Sequence, residues 1–275
     1  MIDLHTHTTA SDGRTAPAAL VHAAAAAGID TLAVTDHDTI GGLAEADQAA
    51  RAARVRFVPG IEITAVHDGR DVHVLGYFVD AGARELLTFL EAQRADRTRR
   101  MGEILTKLDE LGVSIDADGL RARASADAAK AVGRPMVADA LVAAGHARDI
   151  SDAFDRYLAA GRPAFVERRG ATPAEVIAII SRAGGLSSLA HPGQSGVDAL
   201  VSELAAAGLT ALEIYHPDHD EGTVDRYREM AARYGLLVTG GSDYHGPGSG
   251  REAAFGRSGL PALDLAQLDA RRASR

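Results

Sequence analysis

Cysteine and tryptophan are absent from the 275 residues, and aromatic residues make up only 4%. Without cysteine there is no disulfide, no thiolate ligand and no iron–sulfur cluster, so any metal site has to use His, Asp and Glu. That donor set suits hard-to-borderline divalent ions (Mn, Zn or Fe) and not copper(I). With so few aromatics the core must be built from Ala, Val, Leu and Ile, and a hydrophobic share of 46% permits a substantial one. No apolar run reaches about 18 residues and the N-terminus has no basic-then-apolar pattern, which predicts a cytoplasmic protein without a membrane partner. Positive charge is also in deficit, with a formal net charge of −9. A protein that grips duplex DNA through charge is basic, so that partner is not expected; a local positive pocket for a small anion remains compatible.

What is present is an alternation of strand and helix signals, which predicts a parallel α/β architecture. Strands are expected at Ile2–His5, Leu32–Thr35, Phe57–Ile63 with a break at Pro59-Gly60, and Val72–Phe78. Helices are expected at about Pro17–Ala27 and on to about Ala53. The alternation stops at a long charged helical pattern, Arg84–Leu111, followed by helices near Met136–Ala144 and Asp152–Ala160. Residues 99–165 are therefore expected to form an all-helical insertion between a first part, 1–98, and a second, 166–275. A strand at Ala164–Val166 is expected to end it. Thr172-Pro-Ala-Glu175 then carries an N-cap, a first-turn proline and a capping-box glutamate. Strands Leu186–Ala190, Ala211–Tyr215 and Leu236–Thr239 follow, separated by helices.

Metal-capable side chains collect at the strand ends. His5 and His7 are two apart, so an extended chain presents both imidazoles on one face, and Asp12 follows on a Ser-Asp-Gly turn. His37, Glu62, His191, His216 and the pair Asp243/His245 stand at later strand ends, whereas His73 lies nearer the start of its strand. In a β/α barrel the C-terminal strand ends carry the chemistry. One histidine on a strand is commonly structural, but a metal-capable residue on every strand exceeds one tetrahedral site and suits two or three ions. Asp3 and Asp36 read as acceptors that orient the histidines or cap chain ends, and not as metal ligands. His22, His67 and His146 read as structural.

The motifs Leu4-His-Thr-His7, Ser11-Asp-Gly13, Thr35-Asp-His-Asp38, Gly60-Ile-Glu62, His73, Leu189-Ala-His-Pro192 and Gly241-Ser-Asp-Tyr-His245 resemble those of the PHP (polymerase and histidinol phosphatase) superfamily. The resemblance spans residues 1–80 and 165–250. It implies a distorted seven-stranded, TIM-like β/α barrel with a trinuclear metal centre. It also implies that His5, His7, Glu62 and Asp243 hold a first ion and Asp12, His37 and His245 a second. Glu62 would bridge to a third, completed by His73 and His191. Some relatives have His where this chain has Asp12, which makes the second site harder.

The expected activity is metal-dependent phosphoester hydrolysis, with a metal-bridging hydroxide available because bound ions lower the pKa of water to about 7. His37, Glu62, His191 and His245 are the expected catalytic group, with His191 or His245 also assisting proton transfer. The Gly-Arg-Pro segments around Arg134 and Arg162 resemble the branch of nucleoside 3′,5′-bisphosphate phosphatases and 5′-end RNA-trimming enzymes. They suggest a small phosphorylated nucleotide or short RNA as substrate, with Arg134, Arg162, His216 and His219 as its binding residues. Histidinol-phosphate hydrolysis is the alternative activity. A non-catalytic, metal-stabilised nucleotide-binding or accessory module is the alternative of another class.

Overall fold

The computed structural model describes residues 1–125 and 131–275. Among these, seven strands form one sheet in chain order: β1 Ile2–Asp3, β2 Thr31–Val34, β3 Arg56–His67, β4 Arg70–Tyr77, β5 Leu186–Leu189, β6 Ala211–Tyr215 and β7 Leu237–Gly240. Leu4 N donates to Gly240 O at 3.2 Å and His7 N to Tyr244 O at 2.8 Å, which ties the first segment to the last and nearly closes a barrel. This close approach needs glycine: a Cβ on Gly241 would lie 2.4 Å from His5 N.

Helices α1 Pro17–Ala26 and α2 Leu43–Ala53 pack outside the first strands around Leu20, Val21, Leu32 and Val34. After β4 come α3 Arg84–Glu110, α4 Ala117–Ser125, α5 Arg134–Ala143 and α6 Ile150–Ala153, which continues as a π turn at Phe154–Leu158. Helix α3 spans 27 residues, about 40 Å at 1.5 Å per residue. Its first half buries Leu86 and Leu90 against the barrel with Ile180. Its second half buries Met101, Ile104, Leu105 and Leu108 in a separate core with Met136, Val137, Leu141 and Leu158. The barrel resumes with α7 Pro173–Arg182, α8 Pro192–Ser195, α9 Val201–Ala206, α10 Glu221–Tyr234 and α11 Ala262–Ala273. Helix α7 starts with the reciprocal capping box read from the sequence: Glu175 N donates to Thr172 Oγ1, and Thr172 N to Glu175 Oε2.

Three local expectations are corrected. The sheet is not all parallel, because β4 runs antiparallel to both β3 and β5. A short Asp68-Gly69 turn with both residues at positive φ joins β3 to β4 and reverses the chain. Second, β3 does not break at Pro59-Gly60. Pro59 is the last rung paired with β2, and pairing with β4 takes over at Gly60, so no ladder N–H is lost where proline lacks one. Third, Ala164–Val166 is not a strand. Ala164 and Val166 are buried in the helical core, and the carbonyls of Phe165 and Val166 accept from Lys107 Nζ and Arg100 Nε of α3 rather than from another strand.

Candidate metal centre

The reversal of β4 explains the position of His73. An antiparallel strand begins where its neighbours end, so a histidine near the start of β4 reaches the same mouth as residues at the ends of the others. His73 stands opposite Thr64 in the register, and its own carbonyl accepts from Ala190 N beside His191. The N-terminal loop is held from below by Asp36, whose carboxylate accepts from Thr8 N, Thr8 Oγ1 and Ser11 Oγ. Asp3 accepts from Ser242 N and His5 N and so aligns the first and last motifs. Both aspartates order backbone and hydroxyl groups instead of bonding an imidazole. Asp38, His191 and Asp243 adopt positive φ, an uncommon conformation for such residues and one that concentrates at functional sites.

Nine of the expected ligands converge. His5 Nε2 and His7 Nε2 are 3.1 Å apart, and each lies 3.2–3.3 Å from Glu62 Oε2 and 3.3 Å from Asp243 Oδ1. Asp12 lies 3.8 Å from His37 Nε2 and 3.5 Å from His245 Nε2, with His7 Nδ1 at 3.9 Å. Glu62 Oε1 lies 3.0 Å from His73 Nδ1 and 3.2 Å from His191 Nε2, while Oε2 is 3.2 Å from His37 Nδ1. Glu62 thus touches five imidazoles, and His7 presents one nitrogen to each of two ligand groups. These donor sets fit divalent cations: the buried Nδ1 atoms of His7, His37 and His191 have no hydrogen-bond partner, although carboxylates stand close to the first two.

The electrostatics agree. Burial alone would raise the pKa of Glu62, but His37, His73 and His5 outweigh it and hold the carboxyl well below the usual range. Burial likewise opposes a charge on His7, yet Asp243 and Glu62 push it up to about 10. His37 moves the other way, down to about 3, because burial dominates over the attraction of Glu62 and Asp12. Side-by-side imidazoles forced to opposite extremes mark a site that has carboxylate charge to spare but cannot protonate every ring; cations resolve that conflict.

Beside this cluster lies a cavity of about 220 Å³. Asp12, His37 and His73 of the cluster line it together with Asp71, Arg97, Arg100, Arg134 and Arg168. Arg97 Nε donates to the buried Asp38 at 2.5 Å, and Arg168 Nη1 to the same oxygen at 3.2 Å. Arg134 and Arg100 donate to Asp71 Oδ2 at 2.9 and 3.2 Å. Arg168 Nε is buried with no hydrogen-bond partner, and burial lowers this guanidinium's pKa to about 10.

The other expected binding residues sit elsewhere. Arg162 is exposed and is not among the residues lining the cavity. His216 is buried at the opposite side of the cluster, 3.4 Å from Asp243 Oδ2. His219 is occupied by backbone: its Nδ1 faces Ile214 O at 2.8 Å, and Gly193 N donates to its Nε2 at 3.3 Å. Four residues escaped the sequence reading. Glu213 lies within the apolar β6, bonded to His5 Nδ1 and His191 N at 2.8 Å each; a lone carboxylate inside an apolar strand was the available signal. Arg97 and Arg100 continue the stripe Leu86, Leu90, Gln93 of α3, so charge on the buried face of an amphipathic helix was theirs. Arg168 stands in an irregular segment and carried no signal.

A family model for the PHP domain matches residues 3–161. A 3′,5′-nucleoside bisphosphate phosphatase of Chromobacterium violaceum is 32% identical over 267 residues, 95% of this chain and 93% of that one. A 5′-3′ exoribonuclease of Haemophilus influenzae is 36% identical over 254 residues, 89% and 90% of the two chains. The solved structure of a candidate metal-dependent phosphoesterase from Bifidobacterium adolescentis has a TM-score of 0.89 at 33% identity, over 98% of this chain and 95% of that one.

Proposed function

The chain belongs to the PHP family, a hydrolase of the metal-dependent phosphoesterase class, and from that premise we propose that it cleaves a phosphate ester of a nucleotide bearing a second phosphate. A nucleoside 3′,5′-bisphosphate or the 5′ end of a short RNA has that chemistry. The observation that carries the reading is the shared lining of one cavity: Asp12, His37 and His73 of the cluster together with Arg97, Arg100, Arg134 and Arg168. A phosphate against Asp12, His37 and His73 is next to the cluster, and a second phosphate in the same cavity meets guanidinium groups suited to it.

His5, His7, Glu62 and Asp243 would hold one divalent ion, and Asp12, His37 and His245 another. Glu62, His73 and His191 would complete a third. Mn, Zn or Fe fits these donors. Ions bound there supply Lewis acidity toward the phosphoryl oxygens and bring the pKa of water near neutrality. The chain's own part is orientation and proton handling. Glu213 fixes the His5 ring and the His191 backbone. His245 is one-fifth exposed beside Asp12, and His191 stands against Glu62; beside ligation, one of the two is assigned the transfer of a proton to the departing oxygen. Arg134, with Arg168 and Arg100, anchors the phosphate that does not react.

The test is turnover by Mn-loaded protein of adenosine 3′,5′-bisphosphate, a 5′-phosphorylated oligoribonucleotide and histidinol phosphate. Preference for either nucleotide is the expected result. Preference for histidinol phosphate would overturn the substrate reading, and no turnover of any of the three would favour an accessory module.

A further inference from the structure

The arginine cavity contains its own anion. Asp71 Oδ2 accepts from Arg134 Nη2 at 2.9 Å and Arg100 Nη1 at 3.2 Å, and its Oδ1 lies 3.7 Å from the unpartnered Nε of Arg168. Asp38, the other carboxylate in this arginine network, is different in kind. It is fully buried, bonded to Thr64 N, and does not line the cavity. Asp71 does line it and keeps partial solvent access.

The arginines on Asp71 are also held by other groups. Arg100 Nε donates to Val166 O at 2.8 Å and its guanidinium lies over the Phe165 ring. Arg134 Nη1 donates to Leu158 O at 3.4 Å, over the Phe154 ring. Pro135 follows Arg134 at the start of α5 and stiffens that turn. An anion entering the cavity therefore meets cations that are already placed and already shared with a carboxylate.

Resting on the reading of this cavity as a phosphate subsite, we propose that Asp71 is a specificity-determining residue that competes with the substrate's non-reacting phosphate for Arg134, Arg100 and Arg168. Its charge weakens binding of that phosphate, in substrate and in product alike. A product that keeps the second phosphate leaves faster for it.

The experiment uses Asp71→Asn, which keeps shape and a carbonyl acceptor while removing the charge, and Asp71→Glu, which keeps the charge. Binding of AMP to the metal-loaded proteins is measured by calorimetry, with kcat and KM on adenosine 3′,5′-bisphosphate and on p-nitrophenyl phosphate. Asp71→Asn is expected to bind AMP about ten- to a hundredfold more tightly, the scale of one charge-assisted contact. Its KM for the bisphosphate falls, and the ratio of kcat/KM on bisphosphate to that on p-nitrophenyl phosphate rises. Asp71→Glu binds AMP no more tightly than wild type. Weaker or unchanged AMP binding by Asp71→Asn, or failure of that variant to fold, would make Asp71 a scaffold for the arginines and overturn the proposal. Equal tightening in Asp71→Glu, or equal effects on both substrates, would overturn it too. Arg134→Ala separates this from the subsite reading. If Arg134→Ala selectively harms the bisphosphate while Asp71→Asn does not tighten AMP, only the role of Asp71 falls. If Arg134→Ala shows no selectivity, the subsite itself falls.

Discussion

Glu213 Oε1 lies 2.8 Å from Nδ1 of His5, a residue 208 positions earlier in the chain, and both side chains are fully buried. That contact fixes the ring so that Nε2 faces His7, Glu62 and Asp243. The other Glu213 oxygen accepts from the backbone of His191, which adopts positive φ. One carboxylate in β6 thus sets two histidines on two other segments. Glu213→Gln is expected to lower metal affinity about ten- to a hundredfold, the usual cost of losing a carboxylate behind a ligating histidine. Competition with a chelator measures it, and an unchanged affinity would remove Glu213 from the metal centre.

Glu62 contacts His5, His7, His37, His73 and His191 through its two oxygens. Purified protein is expected to carry two to three divalent ions per chain, on the rule that buried donors beyond one coordination sphere need further cations. Glu62→Gln is expected to lose more than one of them. Elemental analysis of folded protein decides the matter; a single ion in the wild type would reject the multinuclear reading.

The two Gly-Arg-Pro arginines are expected to part company. Arg134 lines the cavity and Arg162 is exposed outside it. Arg134→Ala should lower the ratio of kcat/KM on a nucleoside bisphosphate to that on p-nitrophenyl phosphate by roughly ten- to a hundredfold. Arg162→Ala should leave that ratio within about twofold, the range of a surface substitution. Steady-state kinetics on the two substrates tests both, and the reverse ranking would move the subsite.

Asp38 carries a buried charge against Arg97 and Arg168. Burial alone would raise its pKa, but the two guanidinium groups outweigh that and hold it below the ordinary 3.8. Asp38→Asn leaves both arginines short of an anion and is expected to destabilise the fold by about 3–5 kcal/mol at neutral pH. A carboxyl with a depressed folded pKa contributes its stability above the unfolded value and loses it as pH falls through the folded one. The gap between wild type and variant should therefore shrink below pH 3.8. Denaturant unfolding at pH 7 and pH 3 measures it, and a gap that widens in acid would contradict the assignment.

Local chemistry in the chain placed the seven strands of the sheet, though not the bounds of β3, and the family resemblance supplied the candidate ligands. A His-x-His pair has one geometry on an extended segment, and the capping box at Thr172 starts a helix wherever it stands. The nine candidate ligands, most of them marked at strand ends, meet in one cluster, because alternation and strand ends are properties of short stretches. The absence of cysteine likewise confined the donors to nitrogen and oxygen without reference to any fold.

The cavity and the contacts of Glu213 were decided only by closure of the barrel. The direction of β4 was set locally, because the two-residue Asp68-Gly69 link between β3 and β4 allows only an antiparallel hairpin. His73 becomes a partner of Glu62 because β4 is reversed. Arg97 and Arg100 come from α3, Arg134 from α5 and Arg168 from the segment before α7. Arg134 was expected at a phosphate, Arg97 and Arg100 lie on the buried stripe of α3, and Arg168 carries no signal of its own, so nothing local joins the four. They acquire a shared chemistry when packing removes their water and leaves Asp38 and Asp71 as their nearest anions, since the strength of a charge pair is set by the surroundings that the tertiary fold creates.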